Sequence, residues 1–177
     1  MFEIIYADPP WSYKDKAKAG NRGAEFNYPC MSIEDICRLP VKSLASPNAT
    51  LFLWVTSPML AEGFRVMGDW GFTYKTIAFV WVKQTKYGKM FWGMGNWTRA
   101  NAEVCLLGIK GKPKRIAKNV HQIVSSPIRE HSRKPDEIRT KIVDLMGDLP
   151  RIELFARERV PGWSSWGNEV ECNVRLG

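Results

Sequence analysis

Asp8-Pro9-Pro10-Trp11 brings a carboxylate, a ring-locked carbonyl and a flat aromatic surface together within four residues. That set suits one difficult nucleophile: an exocyclic amine on an aromatic base, whose lone pair is delocalised into the ring. A carboxylate can accept one amine hydrogen and a backbone carbonyl the other, which favours a pyramidal nitrogen with its lone pair aimed at an incoming group. Asp8 supplies the carboxylate. Pro9 supplies the carbonyl, in a turn whose direction is set by fixed φ angles. Trp11, or a nearby tyrosine, offers a face for an unstacked base. Taken alone, the tetrapeptide reads equally well as a strand-ending turn with Trp11 in the core.

The surrounding elements must position this motif. Residues 3–7 are apolar and β-branched, a short buried strand that the two prolines stop. Residues 11–29 carry Gly20, Asn21, Gly23 and Asn27 among lysines and are expected to form a long loop. Ser32 opens a short helix with Glu34 and Asp35 in its first turn. Residues 50–56 read as a second apolar strand. Ser57-Pro58 starts a helix expected to reach Trp70, with Gly71 just past it. A strand region over 72–83, a Gly-, Lys- and aromatic-rich loop over 84–99 and a strand over 103–109 follow. The strongest helical pattern is 135–146, with Asp136 and Glu137 in the first turn, Ile138, Ile142, Val143 and Leu145 on one face, and Gly147 at the end. Residues 151–156 are the last clear strand.

Strands alternate with helices, and several strands are apolar on both faces. That pattern predicts an α/β fold of three layers, α/β/α, around a mainly parallel sheet. Ligands bind such sheets at the carboxyl ends of the strands, which is where Asp8 falls. No Gly-x-Gly-x-x-Gly follows an early strand, so a dinucleotide enzyme is disfavoured.

The 177 residues suit one compact domain, and 45% hydrophobic content argues against disorder. Cys30, Cys37, Cys105 and Cys172 are scattered and stand beside neither His121 nor His131, so no metal site is expected. Reduced thiols, with no signal peptide or membrane-spanning run, suggest a cytoplasmic protein. The net charge of +8 and pI of about 9.4 fit a polyanionic partner, most commonly nucleic acid. Basic residues form three clusters: Lys14, Lys16, Lys18 and Arg22; Lys83, Lys86 and Lys89; and Lys110, Lys112, Lys114, Arg115 and Lys118. All follow strands, so a parallel sheet would gather them on the Asp8 edge as sequence-independent phosphate contacts. A solvated face is the plainer reading of any one cluster. Eight tryptophans exceed what a small core needs.

The motifs, in order, resemble one family. YADPPW (Tyr6 to Trp11), Tyr28-Pro29-Cys30-Met31, LFLWVT (Leu51 to Thr56), Gly95-Asn96-Trp97, EVCLLGIKG (Glu103 to Gly111), RKPDEI (Arg133 to Ile138), IELFAR (Ile152 to Arg157), Trp163 and Gly167-Asn168 are similar to blocks of the MTA-type adenine-N6 methyltransferases. The resemblance spans nearly the whole chain. It implies a single methyltransferase domain over residues 1–177, a Rossmann-like fold with permuted motif order, S-adenosylmethionine as cofactor, and the N6 amine of adenine in nucleic acid as substrate. It implies that Asp8, Pro9, Pro10 and Trp11 form the catalytic turn. Tyr28 and Trp54 would lie near the target base. Asp8, Lys134, Arg157, Asn168 and Glu169 would contact the cofactor, although Glu169 stands where the eukaryotic catalytic subunit has a glutamine. DNA is the expected substrate and a homodimer is left open. RNA methylation, cytosine N4 methylation and an inactive nucleic-acid-binding partner subunit are the competing readings.

Overall fold

The computed structural model describes residues 1–12, 30–95 and 97–176. The chain opens with strand β1 (Phe2–Ala7), then helices α1 (Ile33–Arg38) and α2 (Val41–Leu44). The Ser32 hydroxyl caps α1 by accepting from the Asp35 N–H at 3.1 Å. Strand β2 (Ala45–Val55) leads through a 3-10 turn (Ser57–Met59) into helix α3 (Leu60–Asp69). Gly71, at φ 84, ends that helix as expected. Strands β3 (Thr73–Gln84), β4 (Ala102–Lys110) and β5 (Ile123–Pro127) follow, then helix α4 (Glu137–Met146) and strands β6 (Arg151–Leu154) and β7 (Ser164–Trp166).

The seven strands form one sheet in the order β5-β3-β4-β2-β1-β6-β7. The sheet is mainly parallel, as the pattern predicts. Strands β1 and β2, β1 and β6, β3 and β5, and β6 and β7 all pair parallel. Strand β4 runs against both its neighbours, β2 and β3. Strands β5 and β7 have no counterpart in the sequence reading.

Alternation along the strands gives the sheet two apolar faces. Ile5, Leu51, Leu53 and Val55 point to one face, where Ile36, Val41, Val66, Met67 and Trp70 from α1, α2 and the α3 region cover them. Ile4, Tyr6, Phe52 and Trp54 point to the other, under Ile138, Ile142 and Met146 of α4. Three layers result, with β1 and β2 central and buried on both sides. Helix α3 lies close to the sheet because Gly63 faces it: a Cβ there would stand 2.4 Å from Val55 Cγ1. The Trp70 indole N–H, donating to the Ile36 carbonyl at 2.9 Å, ties the end of α3 to α1.

Candidate active site

Asp8 follows the last residue of β1, between β2 and β6, at the carboxyl edge of the sheet. The turn behind it is held from several sides. The Trp11 N–H donates to the Pro9 carbonyl at 2.9 Å and the Met31 N–H to the Pro10 carbonyl at 3.0 Å. Trp11 is only 3% exposed, and its indole N–H donates to the Trp54 carbonyl at 3.0 Å. This corrects the stacking role expected of it: Trp11 anchors the turn to β2 from within the core, because the prolines direct the chain inward. Trp54 is likewise fully buried, and its indole N–H donates to the Tyr6 hydroxyl at 2.8 Å. Its ring meets a cation instead of an open base site, with Lys134 Nζ 5.6 Å from the ring centre. Tyr28 lies outside the described residues.

Lys134 is the hub of the site. Its ammonium lies 3.0 Å from Asp8 Oδ2 and 2.9 Å from Glu103 Oε2. Glu103 also receives Lys83 Nζ at 2.5 Å and the Ser132 hydroxyl at 3.1 Å. The result is an alternating chain of charge, Lys83–Glu103–Lys134–Asp8, that starts in β3 and ends on the Asp8 turn. Arg129 fixes the segment carrying Lys134 by donating to its carbonyl at 2.5 Å and to Asp136 at 2.7 Å.

Burial sets the protonation tendencies and the pairing adjusts them. Burial raises the Asp8 carboxyl, with Glu103 adding to the effect, and Lys134 only partly offsets this, so Asp8 sits above the ordinary carboxylate range. Burial would also raise Glu103, but Lys134 and Lys83 together pull it below the usual value. Burial would lower Lys134, yet Asp8 and Glu103 outweigh it and hold the ammonium above the ordinary lysine range. One lysine therefore stays charged between two carboxylates, held by both at nearly equal distances.

Beside Asp8 opens a shallow cleft lined by Tyr6, Asp8, Lys134, Phe155, Arg157 and charged pairs from α4 and β6. Arg139 grips Glu153 with two hydrogen bonds, at 2.7 and 3.0 Å, and reaches Glu158 at 3.3 Å. Arg133 also pairs with Glu158. Phe155 takes φ 61, uncommon for a bulky residue, and bends the chain sharply from β6 into this cleft with its ring edge-on to Trp166. Gly167 lies against the backbone of Ala156, where a Cβ would be 2.3 Å from the carbonyl oxygen. Asn168 and Glu169 follow it, exposed, on the same edge but outside the cleft lining.

Of the expected cofactor residues, Asp8, Lys134 and Arg157 thus share one cleft. Sequence reasoning missed Glu103, Arg139 and Glu153 and left Lys83 among surface cations. For Glu103 and Glu153 the available signal was a charged residue inside an otherwise apolar strand.

The basic clusters divide. Lys14, Lys16, Lys18 and Arg22 lie outside the described residues. Lys86 and Lys89 follow β3, which runs with β1 through the sheet, and are exposed on the Asp8 edge. Lys112, Lys114 and Arg115 correct the expectation. They follow the antiparallel β4 and emerge at the opposite edge, where the Lys112 N–H donates to Asn48 Oδ1 at 2.7 Å and the Ile116 N–H to the Leu145 carbonyl at 2.8 Å. Among the described residues no group of three or more His, Cys, Asp or Glu is arranged to hold a metal ion. No described helix is long and apolar enough to cross a membrane.

Comparison with known proteins follows the same lines. The MT-A70 family model matches residues 2–169. The type II methyltransferase M.MunI of Mycoplasma sp is 35% identical over 97% of this chain and 79% of its own length. An N(6)-adenosine-methyltransferase MT-A70-like protein of Arabidopsis thaliana is 33% identical over 99% of the chain. The N(6)-adenosine-methyltransferase catalytic subunit METTL3 of Homo sapiens is 29% identical over 96% of it. The chain spans only 24% and 28% of those two longer proteins. With the family pattern running from β1 past β7, and the Asp8 turn at the ligand edge of the sheet it describes, the chain belongs to the MT-A70 family.

Proposed function

We propose that the chain is an S-adenosylmethionine-dependent methyltransferase acting on the N6 amine of adenine in nucleic acid, with DNA as the substrate. The observation that carries this reading is the Lys134 ammonium 3.0 Å from Asp8 Oδ2. A nitrogen donor already occupies the position an adenine amine would take, and Glu103 can keep Lys134 when the amine replaces it.

The cleft suits the cofactor by its donor set. S-adenosylmethionine carries an ammonium, a carboxylate, a sulfonium and ribose hydroxyls. Asp8 and Glu158 offer acceptors, and Lys134 and Arg157 offer cations, around one opening. Asn168 and Glu169 stand on the same edge for the ribose and adenine. When bound, the cofactor supplies an electrophilic methyl group. Asp8 accepts one amine hydrogen. The Pro9 carbonyl, one lone pair already engaged by the Trp11 N–H, accepts the other with its second lone pair. The nitrogen's lone pair is thereby directed away from both acceptors, and Asp8 is the base placed to take the proton the nitrogen sheds on becoming a secondary amine. Lys86 and Lys89 are the described cations of the earlier clusters that remain for phosphate contact on this edge.

DNA is preferred because the chain is 35% identical to a type II methyltransferase and 33% and 29% identical to the two adenosine enzymes. An intact Asp8 argues against an inactive partner subunit. Asp8→Asn is expected to lower methyl transfer by about a thousandfold while the circular dichroism spectrum stays that of the parent. Transfer retained in that variant contradicts the proposal.

A further inference from the structure

The segment between β3 and β4 turns its apolar side chains outward. Trp97 is 99% exposed, Tyr87 77% and Trp92 60%. Five of the other tryptophans, Trp11, Trp54, Trp70, Trp81 and Trp163, are buried. Exposed apolar groups gathered in one place mark interaction surfaces.

The segment is nevertheless ordered by its own backbone. The Thr85 N–H donates to the Lys89 carbonyl at 2.7 Å, the Phe91 N–H to the Lys83 carbonyl at 3.0 Å, and the Gly93 N–H to the Ala100 carbonyl at 2.7 Å. At the tip, a Cβ on Gly95 would lie 1.8 Å from the Thr98 carbonyl oxygen, so the turn requires glycine there. Rings presented on a held backbone lose less freedom when they are covered.

Cations stand among the rings. Lys86 Nζ lies 5.0 Å from the centre of the Tyr87 ring, Arg99 Nη1 lies 3.1 Å from Met94 Sδ, and Lys89 is exposed between them in the chain. The segment also leaves the sheet on the Asp8 edge. Its root, Lys83, is the first member of the charge chain that ends on Asp8.

We propose that the described residues of this hairpin, 84–95 and 97–101, bind the nucleic-acid strand beside the target adenine, with Trp92 and Trp97 stacking on neighbouring bases and Lys86, Lys89 and Arg99 holding phosphates. The proposal rests on the reading that adenine in nucleic acid is the substrate. Aromatic faces interleaved with cations are how proteins hold unpaired strands: bases stack without being read, and phosphates neutralise the charge. A second copy of this chain fits the patch less well. A two-fold contact would set the same three cations against themselves on a chain of net charge +8.

The test uses fluorescence anisotropy with a labelled single-stranded oligodeoxynucleotide carrying one central adenine. The full chain is compared with Trp97→Ala, the Trp92→Ala/Trp97→Ala double variant and Trp97→Phe. Sedimentation velocity and methyl transfer to the same oligonucleotide are measured in parallel. Both tryptophans are exposed, so the variants should fold. Trp97→Ala is expected to bind about tenfold more weakly, the double variant more weakly still, and Trp97→Phe close to the parent, with sedimentation unchanged. Equal binding by all four proteins overturns the proposal. So does a parent dimer that the alanine variants dissolve without loss of strand binding. A parent that methylates, with tryptophan variants that bind and methylate like it, sinks the hairpin role alone. Tryptophan-dependent binding without any methylation supports the hairpin and sinks the catalytic reading. A parent that neither binds nor methylates sinks both.

Discussion

Asp8 must be ionised to accept an amine hydrogen, and its surroundings make ionisation harder than for a free carboxylate. Methyl transfer should therefore fall as pH drops through a midpoint above the ordinary aspartate value of about 3.9, read from kcat against pH. Glu103 contributes to that elevation by its own charge and by holding Lys134. Glu103→Gln removes the charge and leaves Lys134 to Asp8. The acid limb should then move to lower pH, and the protein should lose about 3 kcal/mol of stability from the broken buried pair. An acid limb that stays in place would show that Glu103 does not act on Asp8. At this scale the sequence was informative where chemistry is local. The Asp8 turn declares itself in four residues, whereas the roles expected of Trp11 and Trp54 depended on which way their rings face. Both rings go inward, and each indole N–H is satisfied within the fold.

Strand β4 explains the larger departures. An apolar strand buried on both faces has the same pattern whichever way it runs, so its direction could not be read from its residues. Its reversal has two consequences. It brings Glu103, near the start of β4, to the Asp8 edge, and it carries Lys112, Lys114 and Arg115, beyond the end of β4, to the other. Strands β5 and β7 escaped notice for simpler reasons. Ile123–Pro127 is five residues long, carries two serines and ends in proline, and Ser164–Trp166 is three residues long. Helices α1, α3 and α4 were legible from their end signals and apolar faces. The close fit of α3 on β2 was not, since it depends on Gly63 meeting Val55. Gly63→Val should cost about 1–3 kcal/mol by overpacking, seen as a lower midpoint in thermal unfolding monitored by circular dichroism. An unchanged midpoint would mean that the layers separate freely.

Over the whole molecule, the charge of +8 is spread over both edges of the sheet, and only part of it can serve a strand bound at Asp8. Strand affinity should fall with salt. Three phosphate contacts predict a loss of roughly twentyfold between 50 and 200 mM salt. Replacing Lys86 and Lys89 with alanine should flatten that dependence, whereas replacing Lys112, Lys114 and Arg115 should leave it unchanged. Equal effects from the two sets would contradict the edge assignment. The reaction assigned to the Asp8 turn is methylation of an adenine amine. Its most direct test is methyl transfer from labelled S-adenosylmethionine to unmethylated DNA and to RNA in parallel, followed by nucleoside analysis of the products. N6-methyladenine in DNA is the expected product. Label in N4-methylcytosine, or none in either polymer from a protein that binds the cofactor, would contradict it.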